Sequence, residues 1–258
     1  MELLIKIFVC LLAGAGAGIG TGFAGMSAAA VISPLLMTFL GVPAYSAVGV
    51  GLASDVLASA VSAYTYKKNK NIDVKNGVIM MIFVLLFTMV GSYASSLLPN
   101  STMGGFSVCM TMLLGVKFIV KPVMTTKEAM ESIPQKTRII KSIIGGTVIG
   151  FICGFVGAGG GMMMLLVLTS LLGYELKCAV GTSVFVMAFT AFTGSVSHFV
   201  IGGLPDITTL VLCMLFTLIF ARIAAVIANK AEPKTLNRVT GVVLLFLGAI
   251  TLIFNLIK

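Results

Sequence analysis

Residues 3–41 read LLIKIFVCLLAGAGAGIGTGFAGMSAAAVISPLLMTFLG, and this stretch decides the class of fold. The run 3–24 carries Lys6 as its only charge, and a helix needs about 20 mostly apolar residues to cross the hydrocarbon core of a bilayer. It then meets GTGFAGMSAA at Gly20–Ala29, where glycines open the helix, and resumes as the shorter run 27–41. That second run gives roughly 22 Å of helix at about 1.5 Å per residue, less than a full crossing, and is expected to be a broken or re-entrant helix.

The pattern continues to the end of the chain. Further apolar stretches lie at 45–66, 77–98, 103–120, 139–157, 160–173, 179–201, 207–228 and 239–257, and the one beginning at Gly160 is again short. The chain is 59% hydrophobic and 10% charged, with a mean hydropathy of +1.14, so water is not its main solvent. Every backbone group in a bilayer must find its partner within the protein, which here means helix. The expected fold is an all-α integral membrane protein, a polytopic bundle that forms one transporter domain over 1–258 and leaves no soluble domain over.

The net charge of +9 resides in short runs between apolar segments, with no aromatic interleaving and no nucleic-acid motif, so no nucleic-acid partner is expected. Lys67, Lys68, Lys70 and Lys75 fall in one loop, Lys121, Lys127, Lys136, Arg138 and Lys141 in or beside another, and Lys230, Lys234 and Arg238 in a third. Short cytoplasmic loops retain Lys and Arg, so these three loops are placed in the cytoplasm and the uncharged link 99–102 and the link 202–206 outside. A multi-pass protein of the cytoplasmic membrane follows. The segment MELLIKIFVCLLAGAGAG is read as its first membrane segment and not as a removable signal peptide, because its leading charge is Glu2 and it recurs in a repeat. Cys10, Cys109, Cys153, Cys178 and Cys213 are odd in number and scattered, which indicates neither a disulfide framework nor a metal site.

The repeat has a fixed offset of 132 residues. Gly14, Gly18, Gly22, Phe23, Gly25, Leu36, Gly41, Ala47, Val48 and Gly49 match Gly146, Gly150, Gly154, Phe155, Gly157, Leu168, Gly173, Ala179, Val180 and Gly181 without a gap. The third stretch of the first half ends at the basic loop beginning with Lys67, whereas its counterpart ends at the outside loop beginning with Gly202, so the halves 1–125 and 139–258 are expected to be inverted repeats joined by a basic cytoplasmic loop. Many secondary transporters have this architecture, with the substrate near the midplane between the halves.

Each glycine break, Gly20–Ala29 and Cys153–Met163, precedes a short helix. The N-terminus of a helix carries about half a positive charge, so two such ends converging at mid-membrane can hold an anion without a lysine; the competing reading is close packing through small residues. Gly25, Ser27, Gly157, Gly159 and Gly160 are expected to present backbone N–H groups, and Ser54, Thr182 and Ser183 to line the path. Asp55 is the carboxylate well inside an apolar stretch, where a charge is costly, and is the candidate for coupling to H+ or another cation. It heads a stripe with Ser59 and Ser62, matched on the corresponding helix by Ser183, Thr190, Gly194 and Ser197; the alternative for Asp55 is a protonated hydrogen-bonding group. His198 is placed at an interface, Arg222 near the cytoplasmic end where it can snorkel, and the methionines, Met162–Met164 included, are packing filler. No nucleotide-binding loop, metal cluster or enzyme constellation is present, so neither a cofactor nor catalysis is expected.

At Gly18–Ala30 (GIGTGFAGMSAAA), Leu40–Gly51 (LGVPAYSAVGVG) and their repeats Gly150–Met163 and Leu172–Ser183 (LGYELKCAVGTS), the chain resembles the TauE/SafE family of sulfite and organosulfonate exporters, over essentially its whole length. The resemblance implies a multi-pass protein of the cytoplasmic membrane that moves a small sulfur-containing anion, such as sulfite or sulfoacetate, outward. The first break departs from the second, with Met26, Ser27 and Ala28 where the other has Ala158, Gly159 and Gly160, so the two half-sites need not bind equally. Uptake of thiosulfate or another small anion, an anion channel and a non-transporting membrane subunit stay open as alternatives, as does homo-oligomerisation.

Overall fold

The computed structural model describes residues 2–96, 112–113, 115–156 and 160–256, and helix is the regular structure throughout them. In chain order the helices are α1 (Glu2–Ala24), α2 (Ala29–Phe39), α3 (Ala44–Lys68), α4 (Val74–Ser96), α5 (115–120), α6 (Lys127–Glu131), α7 (Gln135–Val156), α8 (Gly160–Ser170), α9 (Leu176–Gly202), α10 (Ile207–Lys230) and α11 (Pro233–Leu256). Among the described residues, five helices are long and apolar enough to cross a membrane: Leu3–Ala24, Tyr45–Lys68, Val74–Gly91, Leu176–Val200 and Ile207–Lys230. α2 and α8 have 11 residues each, so each is about 16 Å long, half a crossing.

Hydropathy outlined these elements closely, with two differences. α7 begins at Gln135 and α11 at Pro233, ahead of the apolar runs at 139 and 239, because their first turns are polar and project from the apolar slab. α6 was not foreseen; it is a five-residue turn nucleated by Thr126, whose side chain accepts the Ala129 N–H at 3.2 Å. Much of the expected stretch 103–120 lies outside the described residues.

The outward faces carry large apolar side chains, such as Leu4, Phe8 and Leu12 on α1 and Ile219 and Ile223 on α10, while the interior is rich in Ala, Ser and Thr. Lipid solvates the first kind, so helix association rests on close packing of the second. Two long pairs show this. α1 lies along α10, where a Cβ placed on Gly14 would stand 2.6 Å from Phe216 Cβ, one on Gly18 2.7 Å from the Ala221 N, and one on Gly22 2.5 Å from Ala224 Cβ. α4 lies along α7 in the same way, with Gly146 against Met80 O and Gly150 against Val84 O. Position numbers rise together on both partners, so each pair is parallel, and glycine is what lets the backbones touch.

Each parallel pair is clamped at its first turns by an ion pair. Lys6 of α1 meets Asp206, which caps α10 by accepting the Thr209 N–H and hydroxyl at 3.0 and 2.6 Å. Arg138 of α7 meets Asp73, which caps α4 by accepting the Asn76 N–H at 3.2 Å. The second clamp is the more enclosed: its side chains are 15% and 10% exposed, against 32% and 51% for the first. The Tyr174 hydroxyl also donates to Asp73 at 2.8 Å, and burial pushes that phenol well above its usual pKa, so it stays a donor. The two clamps lie at opposite ends of the bundle. α10 starts at the Lys6 clamp and carries Asn229 in its last turn, which meets Asn71 in the short link between α3 and α4 and Lys177 at the start of α9. The end that holds Asn71, Asp73, Arg138, Lys177 and Asn229 is also where Lys67, Lys68 and Lys70 lie, and is called the basic face below.

The remaining helices attach to these pairs. α2 packs on α1 and α3, α3 on α10, and α11 on α1 and α2; α8 packs on α7 and α9, and α9 on α4. The two groups meet chiefly along α3 and α9.

Candidate functional site

The first glycine break is closed by specific bonds. Gly25 takes φ +60°, the left-handed region open to glycine, which lets its N–H donate to Thr21 O at 2.9 Å and the Met26 N–H reach back to Gly20 O at 3.2 Å. The Thr21 hydroxyl donates to Met26 O at 2.8 Å, and the buried Tyr66 hydroxyl takes up Gly22 O at 2.9 Å. The Gly20, Thr21 and Gly22 carbonyls released where α1 ends are thereby satisfied. The Gly25 N–H is engaged within the turn, so this glycine contributes shape rather than a free donor.

The chain then turns into α2, and Asp55 stands at that helix's N-terminal end. The Ser27 hydroxyl donates to Asp55 Oδ2 at 2.7 Å, the Ser59 hydroxyl to Oδ1 at 2.8 Å, and the Ala28 backbone N–H bonds the same carboxyl. Asp55 is 1% exposed and is the twelfth residue of a 25-residue helix, so it sits about 17 Å from the start of α3 and about 20 Å from its end, close to mid-length. A carboxyl group here faces the positive end of the α2 dipole and two hydroxyl donors, which is how a buried acid is accommodated.

The second break comes to the same place. A Cβ on Gly161, in the first turn of α8, would run into Gly25 O and the Met187 thioether, and one on Gly25 would run into the Ser183 hydroxyl. Gly25, Ser27, Asp55, Ser183, Gly161 and Met187 thus form one cluster in which the α1–α2 turn meets the first turn of α8. Gly157 and Gly159 lie outside the described residues; Gly160 is the first residue of α8.

Other residues singled out in the sequence are turned elsewhere. The Ser54 hydroxyl donates to Val50 O of its own helix at 2.8 Å, and Thr182 accepts the Asp73 N–H at 3.1 Å, towards the basic face. The stripe on α9 divides: Ser183 is buried, whereas Ser197 is exposed and bonds Thr193 O. Ser62 is fully buried and its hydroxyl has no partner among the described residues. His198 is at the end of α9 away from the basic face, its Nδ1 3.1 Å from Tyr45 O and its ring stacked on Tyr45 with centroids 4.2 Å apart. Arg222 is exposed. Among the described residues no group of His, Cys, Asp and Glu is placed to hold a metal. Met187 was not foreseen as part of the site, although the 132-residue offset locates it: it is the counterpart of Asp55.

The comparisons agree with a membrane protein of this kind. The family model described as Sulfite exporter TauE/SafE matches residues 10–251. The probable membrane transporter protein YunE of Bacillus subtilis is 26% identical over 264 residues, covering 96% of this chain and 96% of its own. YdhB of the same organism is 23% identical, covering 89% and 96% of the two chains, and MJ0441 of Methanocaldococcus jannaschii is 28% identical, covering 76% and 71%; both are also named probable membrane transporter proteins. No solved structure matches.

Proposed function

This chain belongs to the TauE/SafE family, hence to the membrane transporters rather than the enzymes, and from that premise we propose that it is a secondary carrier for a small sulfur-containing anion, sulfite or an organosulfonate, moved outward by alternating access. The observation that carries the reading is that the first turn of one half-length helix, at Gly161, touches the glycine turn at Gly25 that leads into the other, beside a carboxyl at mid-length of α3. One end is filled from within by Asp55. The other, at Gly161, faces Met187 and brings no acid of its own. An anion at the α8 end draws on the same helix-end field that holds Asp55, with Gly160 and Ser183 beside it.

In this reading Asp55 is the coupling group. Protonated, it leaves the cluster without an internal negative charge and lowers the cost of admitting an anion; ionised, it repels one. Two inverted repeats, 1–125 and 139–258, supply the symmetry. In support, the 132-residue offset carries the glycine contacts of α1 with α10 onto those of α7 with α4, and Lys6 onto Arg138.

Thermal unfolding of the purified protein tests the site, because a ligand bound by the folded state alone stabilises it by about 2.7 kcal/mol at 100 times its dissociation constant. Sulfite and sulfoacetate are expected to raise the midpoint, and phosphate and acetate to leave it unchanged. Thiosulfate as the sole stabiliser transfers the reading to uptake of that anion. No stabilisation, or equal stabilisation by every anion, removes the selective site and leaves a channel or a non-transporting subunit.

A further inference from the structure

The clamps and glycine stripes fix which parts of the molecule stay together. α1 with α10, and α4 with α7, are in backbone contact along their length and tied at their first turns, so neither pair can open without breaking several close contacts. α2, α3 and α11 attach to the first pair, α8 and α9 to the second. The two bodies meet chiefly along the antiparallel seam of α3 and α9, and also where Gly161 and Ser183 of the second touch Gly25 of the first. Gly49 faces His198 and Phe199, Leu52 faces Gly194, and Tyr66 faces Gly181. The cluster around Asp55 and Ser183 lies between the two ends of that seam.

Those ends are closed in different ways. At the basic face, Lys177 Nζ donates to Asn229 O at 2.9 Å and Asn71 Nδ2 donates to Asn229 Oδ1 at 2.7 Å, so the end of α10 is tied to α9 and to the link that leads into α4. Behind these bonds Tyr66 is fully buried, Cys178 is 2% exposed, and a Cβ on Gly181 would run into Asn71 O. At the opposite face the seam ends in Tyr45 and His198, joined by one stack and one polar contact, with Tyr45 42% exposed. Lys177 and Tyr45 are 132 residues apart, as are His198 and Tyr66. Equivalent positions therefore hold a polar interlock on one side and an exposed aromatic contact on the other.

We propose that these are the two gates of the carrier: Lys177, Asn229 and Asn71 latch the basic end of the α3–α9 seam, Tyr45 and His198 close the other end, and the two open in turn as one body rocks on the other. The inference rests on the transporter reading but not on the identity of the anion. The latch at the basic face is the firmer of the two, with two direct hydrogen bonds over buried side chains, so the unloaded protein rests shut towards the basic face. The Tyr45–His198 contact, thin and exposed, is the gate that yields first.

Cys178 lies directly behind the latch, and Ser46, its counterpart at the 132-residue offset, marks the matching position at the other end. The experiment uses two full-length reporters in native membranes. The first keeps Cys178 with the other four cysteines changed to Ser; the second adds Cys178→Ser and Ser46→Cys. Each is labelled from both faces with a membrane-impermeant maleimide, without substrate. Asn71→Ala combined with Lys177→Met is expected to raise the labelling rate of the first reporter at least tenfold and to lower that of the second. His198→Leu is expected to do the reverse. Tyr45→Ala is the second variant at that gate should His198→Leu fail to accumulate, and Lys177→Met alone serves likewise at the latch. Rates that rise at both ends together, or that do not change, overturn the proposal, because loosened packing predicts the first and a seam that does not move the second. No anion is added, so a failed anion screen and a failed gate are separate results.

Discussion

Replacing Asp55 by Asn separates the carboxyl's place in the fold from its place in coupling. Asn is isosteric, and its amide oxygen and nitrogen can face the two hydroxyls that now stand 2.7 and 2.8 Å from the carboxyl oxygens. If two bonds to an ionised group, worth about 1.5–3 kcal/mol each, become neutral bonds of about 0.5–1.5 kcal/mol, the loss is about 2 kcal/mol, small enough for the variant to fold. The transport consequence is much larger. Asp55 is the carboxylate at mid-depth, so it carries at most one proton per cycle, and one proton coupled to one anion supplies about 1.36 kcal/mol per pH unit. In proteoliposomes with the membrane potential clamped, a gradient of about two pH units should drive sulfoacetate, whose sulfonate stays ionised throughout, towards a roughly 100-fold accumulation. Asp55→Asn should abolish accumulation and retain exchange of labelled for unlabelled sulfoacetate. If the variant accumulates as the parent does, the coupling role of Asp55 is refuted.

The two clamps should differ in strength. Arg138→Gln strands the enclosed Asp73 and is expected to cost about 3 kcal/mol, whereas Lys6→Gln at the exposed pair is expected to cost under about 1 kcal/mol, both read from denaturant titrations in mild detergent. Gly25→Ala places a side chain in the left-handed region, at about 1–2 kcal/mol, and drives it into the Ser183 hydroxyl; adding Ser183→Ala should recover the part due to overlap and leave the backbone part, visible as a partial return of the unfolding midpoint. The Asp206 carboxyl is held down to about 2 by the Thr209 hydroxyl and Lys6. A depressed carboxylate contributes its stability above the unfolded value of 3.8 and loses it as pH falls towards about 2. The midpoint difference between the parent and Asp206→Asn should therefore be flat from about pH 8 to 5 and close below about pH 4.

Hydropathy located nearly every long helix because a bilayer enforces length and composition together, and the doubled glycines placed the two short helices. The same glycines were ambiguous in kind. Gly14, Gly18 and Gly22 serve the α1–α10 contact, whereas Gly25, three residues on, forms the turn; spacing alone does not separate a stripe from a break. Asp55 was visible as a charge in an apolar run, and Ser27 as a break residue, but their bond joins positions 28 residues apart and depends on how α2 folds back on α3. Thr182 illustrates the opposite case. Its hydroxyl is in line with Ser183 in sequence, yet one residue of helix turns it by about 100°, towards Asp73 and away from the cluster. The clamps are not legible from charge alone, because Lys6 is a single base in an apolar run and Arg138 one of several in a basic stretch, although the offset that aligns the glycines also aligns these two bases.

The central claim, a carrier for a small sulfur oxyanion, is tested most directly by counterflow. Proteoliposomes loaded with excess unlabelled sulfite or sulfoacetate and diluted into a trace of the labelled anion should take up label transiently above its equilibrium level, without net current, and phosphate-loaded vesicles should not. Uptake that follows the membrane potential with no overshoot would show a channel, and no uptake with any sulfur anion would contradict the account outright.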